Sequence, residues 1–261
     1  GLGDVYKRQM LYNERAELIL QQAQLHSAVK VSELSDLLQV SVDTIRRDLK
    51  AMEQEGLLKC VRGGACLPDA LAAFSNFKGR EVVHSDLKRE ACRKALKYIK
   101  PGDIVALNSG TTNTILAQEM VPHVKGITVV TNNLAAVTIL MQSTDIRVIA
   151  VGGDVDPLER STCGVSCEKE FARFFPDVSF LSINAVNYSD GYTDFRLSET
   201  GIIRLLAQNS KQVIAVMDST KLGKRSKCRV LEPGDVDRLV MDGQVPGRIR
   251  EQYREKGMFI E

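Results

Sequence analysis

Residues 31–49 read VSELSDLLQVSVDTIRRDL, and the placement of polar and apolar residues in this stretch decides the fold of the first quarter of the chain. Ser32 is expected to cap a short helix carrying Leu34, Leu37 and Leu38. After Gln39 and Val40, Ser41 is expected to cap a second helix with Ile45, Leu49 and Met52 on one side. At about 100° per residue, Asp43, Arg46, Arg47 and Lys50 then fall on the opposite face, with Thr44 flanking. Upstream, Asn13 can cap a helix whose apolar stripe is Ala16, Ile19, Leu20 and Ala23. Downstream, Gly56 suits the left-handed position that ends a helix.

Two short helices joined by a tight connection, the second well capped, make a helix-turn-helix candidate. Small helical bundles contain the same turn without touching DNA. The division of charge points the other way, because a recognition helix packs its apolar side inward and presents polar and basic groups to base edges and phosphates. Arg46 and Arg47 can each donate two parallel hydrogen bonds to a guanine or a phosphate. Residues 57–67 then read as two short strands around Gly63-Gly64, a hairpin signal, with Lys59 and Arg62 nearby. A hairpin placed directly after the recognition helix is a wing.

The core Thr44-Ile-Arg-Arg-Asp-Leu49, followed by Glu53-Gln-Glu-Gly-Leu57 and Arg62-Gly-Gly-Ala65, resembles the winged helix-turn-helix of the DeoR family of bacterial regulators. That resemblance implies that Ser32, Ser41, Asp43, Thr44, Arg46, Arg47, Lys50 and Arg62 face a double-stranded DNA operator. The family usually carries His where this chain has Arg62; arginine keeps a donor and adds a fixed charge.

Bulk charge adds nothing to this reading. The formal net charge of the 261 residues is +2, and residues 1–66 hold nine basic and nine acidic side chains. Local placement of charge therefore carries the DNA-binding expectation. With 44% apolar residues the chain can bury a sizeable core and is expected to form two domains. The six cysteines form no C-x-x-C pair, and the three histidines lie far apart in sequence, so no zinc spacing emerges. Cys163 and Cys167, four apart, leave a metal or redox pair open, against the plainer reading of reduced thiols in a cytoplasmic protein. No apolar run approaches the ~20 residues that cross a bilayer, and no signal peptide is visible. Met10 reads as a natural start, with the first nine residues a leader or a scar.

A winged domain over residues 10–67 and a linker over 68–84, with Pro68, Gly79 and no periodicity, precede a second domain over 85–261. A helix from Asp86 places Leu87, Ala91, Ala95 and Ile99 on one stripe and stops at Pro101-Gly102. Strands are expected at 104–107, 127–130, 148–151, 180–183, 213–217 and 239–241, with helices at 114–120, 134–142, 168–175 and 199–208. Short strands rich in Val and Ile, separated by helices, indicate an α/β domain with a largely parallel sheet covered on both faces.

Polar loops follow these strands where such sheets bind ligands. Asn108-Ser-Gly-Thr-Thr-Asn113 leads into a helix whose N-terminus favours an anion. Thr131-Asn132-Asn133, Gly152-Gly153-Asp154 and Asp218-Ser-Thr-Lys221 follow three further strands. Together they suggest a phosphate-bearing ligand.

The domain is similar over nearly its whole length to the DeoR effector domain, which shares its fold with ribose-5-phosphate isomerase. The resemblance implies that Ser109, Gly110, Thr111, Thr112, Thr131, Asn132, Gly152, Gly153 and Lys221, with Asn108 beside them, surround a sugar phosphate. Family members usually have Asp at Asn108, and the usual glycine-bearing segment after the fourth strand reads Leu181-Ser-Ile-Asn-Ala-Val-Asn187 here.

A sugar-phosphate isomerase fused to a DNA-binding module is the rival reading. Isomerisation needs a general base, and Asn184 and Asn187 stand where the isomerase has carboxylates. Asp190, Asp194 and Glu199 lie nearby in sequence, so a displaced base stays open. A DNA-binding architectural protein without ligand is a third reading; it would not need the polar loops. The resemblance implies a regulator with no catalytic residue, cofactor or metal. It would repress a sugar-uptake or catabolic operon and respond to a phosphorylated intermediate. Because winged regulators read symmetric sites, a homo-oligomer is expected, joined through the larger domain.

Overall fold

A computed structural model describes residues 12–26, 28–55, 57–67 and 77–261. The chain divides into two compact units, Gly1–His84 and Ser85–Glu261. The start expected at Met10, Gly56 and most of the linker lie outside the described residues, as does the side chain of Asn13.

The first unit runs α1 (Tyr12–His26), β1 (Ala28–Lys30), α2 (Val31–Leu38), α3 (Val42–Gln54), β2 (Lys59–Val61), β3 (Gly64–Cys66) and α4 (Phe77–Val82). Ile19, Leu34, Ile45, Leu49 and Met52 close on one core with Val29, Leu58 and Ala65 from the strands. Each of these side chains larger than Ala65 contributes about 1.5–3 kcal/mol by leaving water. The turn between α2 and α3 is set by Gln39, which adopts φ 53°, while Ser35 Oγ donates to Val40 O at 2.6 Å.

Ser41 caps α3 as expected, its side chain accepting from Thr44 N. Ser32 does not cap α2: Lys30 holds that position, without a side-chain bond, and Ser32 sits inside the first turn. The helix starts early because it follows directly on β1, a strand the sequence did not reveal. β1 pairs antiparallel with β3, giving the sheet order β1-β3-β2, so the wing has three strands rather than two. α4 is a further correction, since a six-residue helix occupies part of the stretch read as linker. Phe77 is buried and Glu81 reaches Lys30 Nζ at 3.3 Å.

The second unit comprises α5 (Ser85–Ala95), β4 (Ile104–Leu107), α6 (Thr111–His123), β5 (Ile127–Thr131), α7 (Leu134–Leu140), β6 (Ile146–Ala150), β7 (Asp154–Asp156), β8 (Ser161–Cys163), α8 (Gly164–Phe171), β9 (Val178–Leu181), β10 (Ala185–Asn187), β11 (Gly191–Asp194), α9 (Thr200–Asn209), β12 (Gln212–Val216), β13 (Cys228–Leu231), β14 (Arg238–Val240) and α10 (Gly247–Arg254). Six strands form one parallel sheet in the order β14-β12-β9-β4-β5-β6.

Successive residues of each strand feed two separate cores. Val105 and Leu107 pack on one side with Ala91 of α5 and Leu116 of α6, while Ala106 packs on the other with Leu181, Ile203 and Leu206. This alternation is the period of two along a strand covered on both faces. β10, β11 and β13 form a small antiparallel sheet, and β7 pairs with β8.

All six expected strands are present, shifted by at most two residues. The helix expected at 168–175 begins at Gly164 instead, because extended Cys163 takes its N-cap. The stripe ending at Ile99 is helical only to Ala95; a 3-10 turn over Leu96–Tyr98 follows and Ile99 is extended. The chain runs from β4 outward to β5 and β6, then returns to place β9 on the other side of β4. The polarity of the connections therefore reverses between β4 and β9, where an open parallel sheet leaves a crevice at its C-terminal edge.

Candidate functional site

In the first unit five of the expected DNA-facing residues, Asp43, Thr44, Arg46, Arg47 and Lys50, lie together on α3, and Ser41 caps it. Asp43, Arg46, Arg47 and Lys50 are exposed, and Ile45, Leu49 and Met52 are buried. Ser41 Oγ lies 2.9 Å from Thr44 Oγ1, Arg46 Nη1 reaches Asp43 Oδ1 at 3.3 Å, and Arg47 Nε donates to Asp43 O at 3.3 Å. These local bonds are long and solvated, so both guanidinium groups can leave them for a stronger anionic acceptor. Arg62 is exposed in the turn between β2 and β3, and Ser32 is exposed on α2.

One residue of α3 departs from this division. Asp48 is 5% exposed and takes two hydrogen bonds from Arg15 of α1, Nε to Oδ2 at 2.6 Å and Nη2 to Oδ1 at 2.9 Å. The pair fixes α1 against α3. The signal was present in sequence, because Asp48 interrupts the stripe of Ile45, Leu49 and Met52 and needs a cation there.

In the second unit the loops after β4, β5 and β9 converge on the crevice. Asn108, Ser109, Thr112, Asn132 and Asn133 are fully buried. Asn108 bridges the crevice with its side-chain amide, accepting from Ser182 N at 2.8 Å and donating to Ser182 O at 3.1 Å. Gly110 precedes α6 at φ 135°, and a Cβ there would lie 2.9 Å from Ser182 Cβ and 3.0 Å from Arg196 Nη1. Only glycine suits that conformation at that distance. α6 starts beside Asn133, whose Nδ2 donates to Gly110 O at 3.1 Å while its Oδ1 caps α7.

Four charged residues that were not expected as ligand contacts organise this cluster. Arg196 is buried and donates to Ser109 O at 2.8 Å and to Ser182 O at 2.8 Å. It also grips Asp194 through two bonds, Nε to Oδ1 at 3.0 Å and Nη2 to Oδ2 at 2.7 Å. Burial opposes the Asp194 charge, but the adjoining guanidinium prevails and holds the carboxyl below its ordinary range. Glu199 is fully buried, and burial pushes its carboxyl up although Arg196 and two amides favour the charge. It accepts from Asn132 Nδ2 at 2.8 Å, Ser109 N at 3.2 Å and Asn108 Nδ2 at 3.3 Å. Asn108 is thus a donor to Glu199, which an aspartate could not be when ionised.

The fourth charge is Lys88 of α5, 3% exposed, with Nζ 3.4 Å from Thr111 Oγ1 at the α6 N-terminus. Its neighbours Arg89 and Arg93 both pair with Glu119 and hold α5 along α6. Lys221 is half-buried, with Nζ 3.5 Å from Ile183 O and 3.9 Å from Asp218 Oδ2. Thr112 Oγ1 and Asn132 Oδ1 are buried, with no hydrogen-bond partner among the described residues. A ligand oxygen or a water is what such groups require.

Gly152 and Gly153 stand apart from these contacts. A Cβ on Gly153, at φ 151°, would sit 2.8 Å from Cys167 Cβ, so this glycine admits the β8–α8 segment. Cys163 and Cys167 carry free thiols, and burial pushes Cys167 up to about 11. Among the described residues, no three His, Cys, Asp or Glu side chains converge as a metal site. No helix among them is long and apolar enough to cross a membrane.

Asp190, Asp194 and Glu199, weighed as displaced bases, all accept hydrogen bonds from neighbouring side chains, and the amides at Asn184 and Asn187 serve the local backbone and turn. Asn187 accepts from Asp190 N at 2.7 Å and donates to Asp190 Oδ2 and Lys224 O at 3.0 Å, which shapes the turn between β10 and β11. Asp194 is held by Arg196 and also accepts from Asn184 N at 3.0 Å.

The pattern describing the DeoR-like helix-turn-helix domain matches residues 15–70, and that of the DeoR C-terminal sensor domain matches residues 83–243. The HTH-type transcriptional regulator GolR of Listeria innocua is 29% identical over 95% of this chain and 97% of its own length. The HTH-type transcriptional repressor GlcR of Bacillus subtilis is 30% identical over 89% of each chain. The glycerol-3-phosphate regulon repressor of Escherichia coli is 27% identical over 98% of this chain and 99% of its own. Among solved structures, ribose 5-phosphate isomerase A of Methanocaldococcus jannaschii aligns over 53% of this chain and 54% of its own. The TM-score is 0.40 and the identity 16%.

Proposed function

The chain belongs to the DeoR family and is a DNA-binding transcription regulator; on that premise we propose that its second unit binds a phosphorylated sugar in the crevice between β4 and β9. The observation that carries this reading is the start of α6. There a helix N-terminus, the hydroxyls of Ser109, Thr111 and Thr112 and the buried ammonium of Lys88 meet at one end of a loop whose turn only glycine can make. Helix dipole, free N–H groups and cation all favour an oxyanion at that point. Lys221 approaches from the β12 side, and Asn132 offers a polar atom to the sugar hydroxyls.

Occupancy changes operator affinity to the extent that the ligand distinguishes two states of the protein; a coupling of about 1–3 kcal/mol is typical. Relatives named as repressors support repression, and those named for glycerol-3-phosphate and for the aga operon support control of a carbohydrate operon. The protein acts in the cytoplasm as a homo-oligomer on a symmetric site. It performs no catalysis: of the three carboxylates open as displaced bases, Asp190 is bonded by Asn187, Asp194 is held by Arg196, and Glu199 takes hydrogen bonds from Asn108, Ser109 and Asn132 that tie the crevice loops together.

The test is a thermal-shift panel of sugar phosphates and their parent sugars. A ligand held by the native state alone adds RT ln(1 + [L]/Kd), roughly 2.7 kcal/mol at 100-fold saturation. One ester should stabilise the protein well beyond its parent sugar, and Lys221→Ala should remove the increment. Equal shifts from ester and parent across the panel, or an undiminished increment in Lys221→Ala, would overturn the reading.

A further inference from the structure

A separate cavity of about 410 Å³ opens beside the ends of β12 and β14, within the ~300–1,000 Å³ range of small-molecule sites. Ser219 and Thr220 line one wall, Gln244 and Pro246 a second, and Gln252 of α10 a third. Tyr188, from the turn between β10 and β11, completes it.

The walls are built rather than incidental. Asp242, fully buried, accepts from Ser219 N at 2.6 Å and from Gln244 N at 3.0 Å, so one carboxylate joins two of them. Asp218 in turn accepts from Thr220 N at 3.2 Å and from the Thr220 hydroxyl. Tyr188 is 52% exposed yet held in orientation, its ring 5.6 Å from that of buried Tyr253 at 83°. An exposed aromatic fixed edge-to-face in this way is a platform.

The chemistry of the lining selects the ligand. In a chain with 26% charged residues, none of the described residues lining this cavity is Asp, Glu, Lys, Arg or His. A charged ligand would lose hydration there without a counter-charge. The amides of Gln244 and Gln252 can donate and accept, while Leu222, Val245 and Ile249 join the Tyr188 ring in an apolar lining, and the combination matches a neutral ring with hydroxyl edges and C–H faces. The turn Ser219–Lys221 separates this cavity from the phosphate crevice, since Lys221 Nζ is directed to Ile183 O. We propose that the cavity is a second binding site, for an uncharged mono- or disaccharide.

Saturation-transfer-difference NMR on the full-length protein tests this with D-glucose, D-galactose, N-acetyl-D-glucosamine and maltose, in excess inorganic phosphate. Transfer to at least one sugar is expected. Tyr188→Ala and Gln252→Ala, both at exposed positions, should each weaken its affinity at least tenfold, with the thermal midpoint held in Gln252→Ala and lowered by only a few degrees in Tyr188→Ala, which loses its ring contact with Tyr253. Transfer to none of the four, or undiminished transfer in both variants, overturns the proposal. So does a Tyr188→Ala protein that changes oligomeric state while its sugar signal is intact. Reading unphosphorylated sugars against a phosphate background keeps failure here distinct from failure of the phosphate crevice.

Discussion

Asn108 Nδ2 lies 3.3 Å from Oε2 of Glu199, a residue 91 positions downstream, and through this contact the loop after β4 is bound to the start of α9. Glu199 also holds the loop after β5 through Asn132, so one carboxyl sets the spacing of two walls of the crevice between β4 and β9.

This carboxyl gives the second unit a pH signature. Burial raises it above its ordinary value of 4.5, so the native state binds the proton more tightly than the unfolded chain. The stability it contributes is complete below that value and declines as pH rises through the raised one. Calorimetric midpoints measured from pH 4.5 upward should therefore fall in the wild type relative to Glu199→Gln. A difference between the two that stays constant with pH would contradict the assignment.

Arg196→Ala should destabilise the second unit by about 3–5 kcal/mol, because it leaves the buried Asp194 charge uncompensated. For a unit of this size that corresponds to a midpoint lowered by roughly 10 °C. Arg196→Lys should recover little, since an ammonium cannot match two carboxylate oxygens and two carbonyls in one plane. Asp194 has the opposite sign to Glu199: its carboxyl is held low, so its contribution is present above the ordinary value of 3.8 and is lost as pH falls.

Arg46→Ala and Arg47→Ala remove exposed side chains with weak local partners, so thermal midpoints should hold. Each should lower affinity for a duplex selected by the protein from a random pool, by about 1–3 kcal/mol for a base contact. A contact to phosphate would instead reduce the salt dependence of binding. Affinity and salt slope both unchanged in the two variants would exclude α3 as the reading helix.

Asp48→Asn keeps the shape of the buried pair and removes its charge balance. The first unit should lose about 3 kcal/mol, and DNA binding should fail on mild warming. The ligand-induced thermal shift of the second unit should persist in the same protein, which separates this defect from general misfolding. Retention of DNA binding at the wild-type midpoint would show that Arg15 tolerates a neutral partner.

What was legible in sequence follows from how local each signal is. The six strands of the parallel sheet carry their own period of two, and Ser41 caps α3 through a bond three residues away. β1 has only three residues and exists through pairing with β3, about 36 positions downstream, so no local pattern announces it. Lys88 sits among Lys and Arg on a helix, and nothing nearby in sequence tells which of these cations turns toward Thr111. Arg196 and Glu199 follow the same rule. Their partners Ser109 and Asn108 are 87 and 91 residues away, and only the return of the chain to β9 brings them together. The polar loops were visible as loops; the charges that order them were not.

The distance along the chain between Asn108 and Glu199 also sets an order of assembly during translation. The helices and wing of the first unit are complete once residue 84 has left the ribosome, whereas the crevice lacks its Arg196 and Glu199 until nearly 200 residues have been made. Domains fold as units from the N-terminus as they emerge. A nascent chain therefore carries a finished DNA-reading surface well before it has anything with which to sense a ligand.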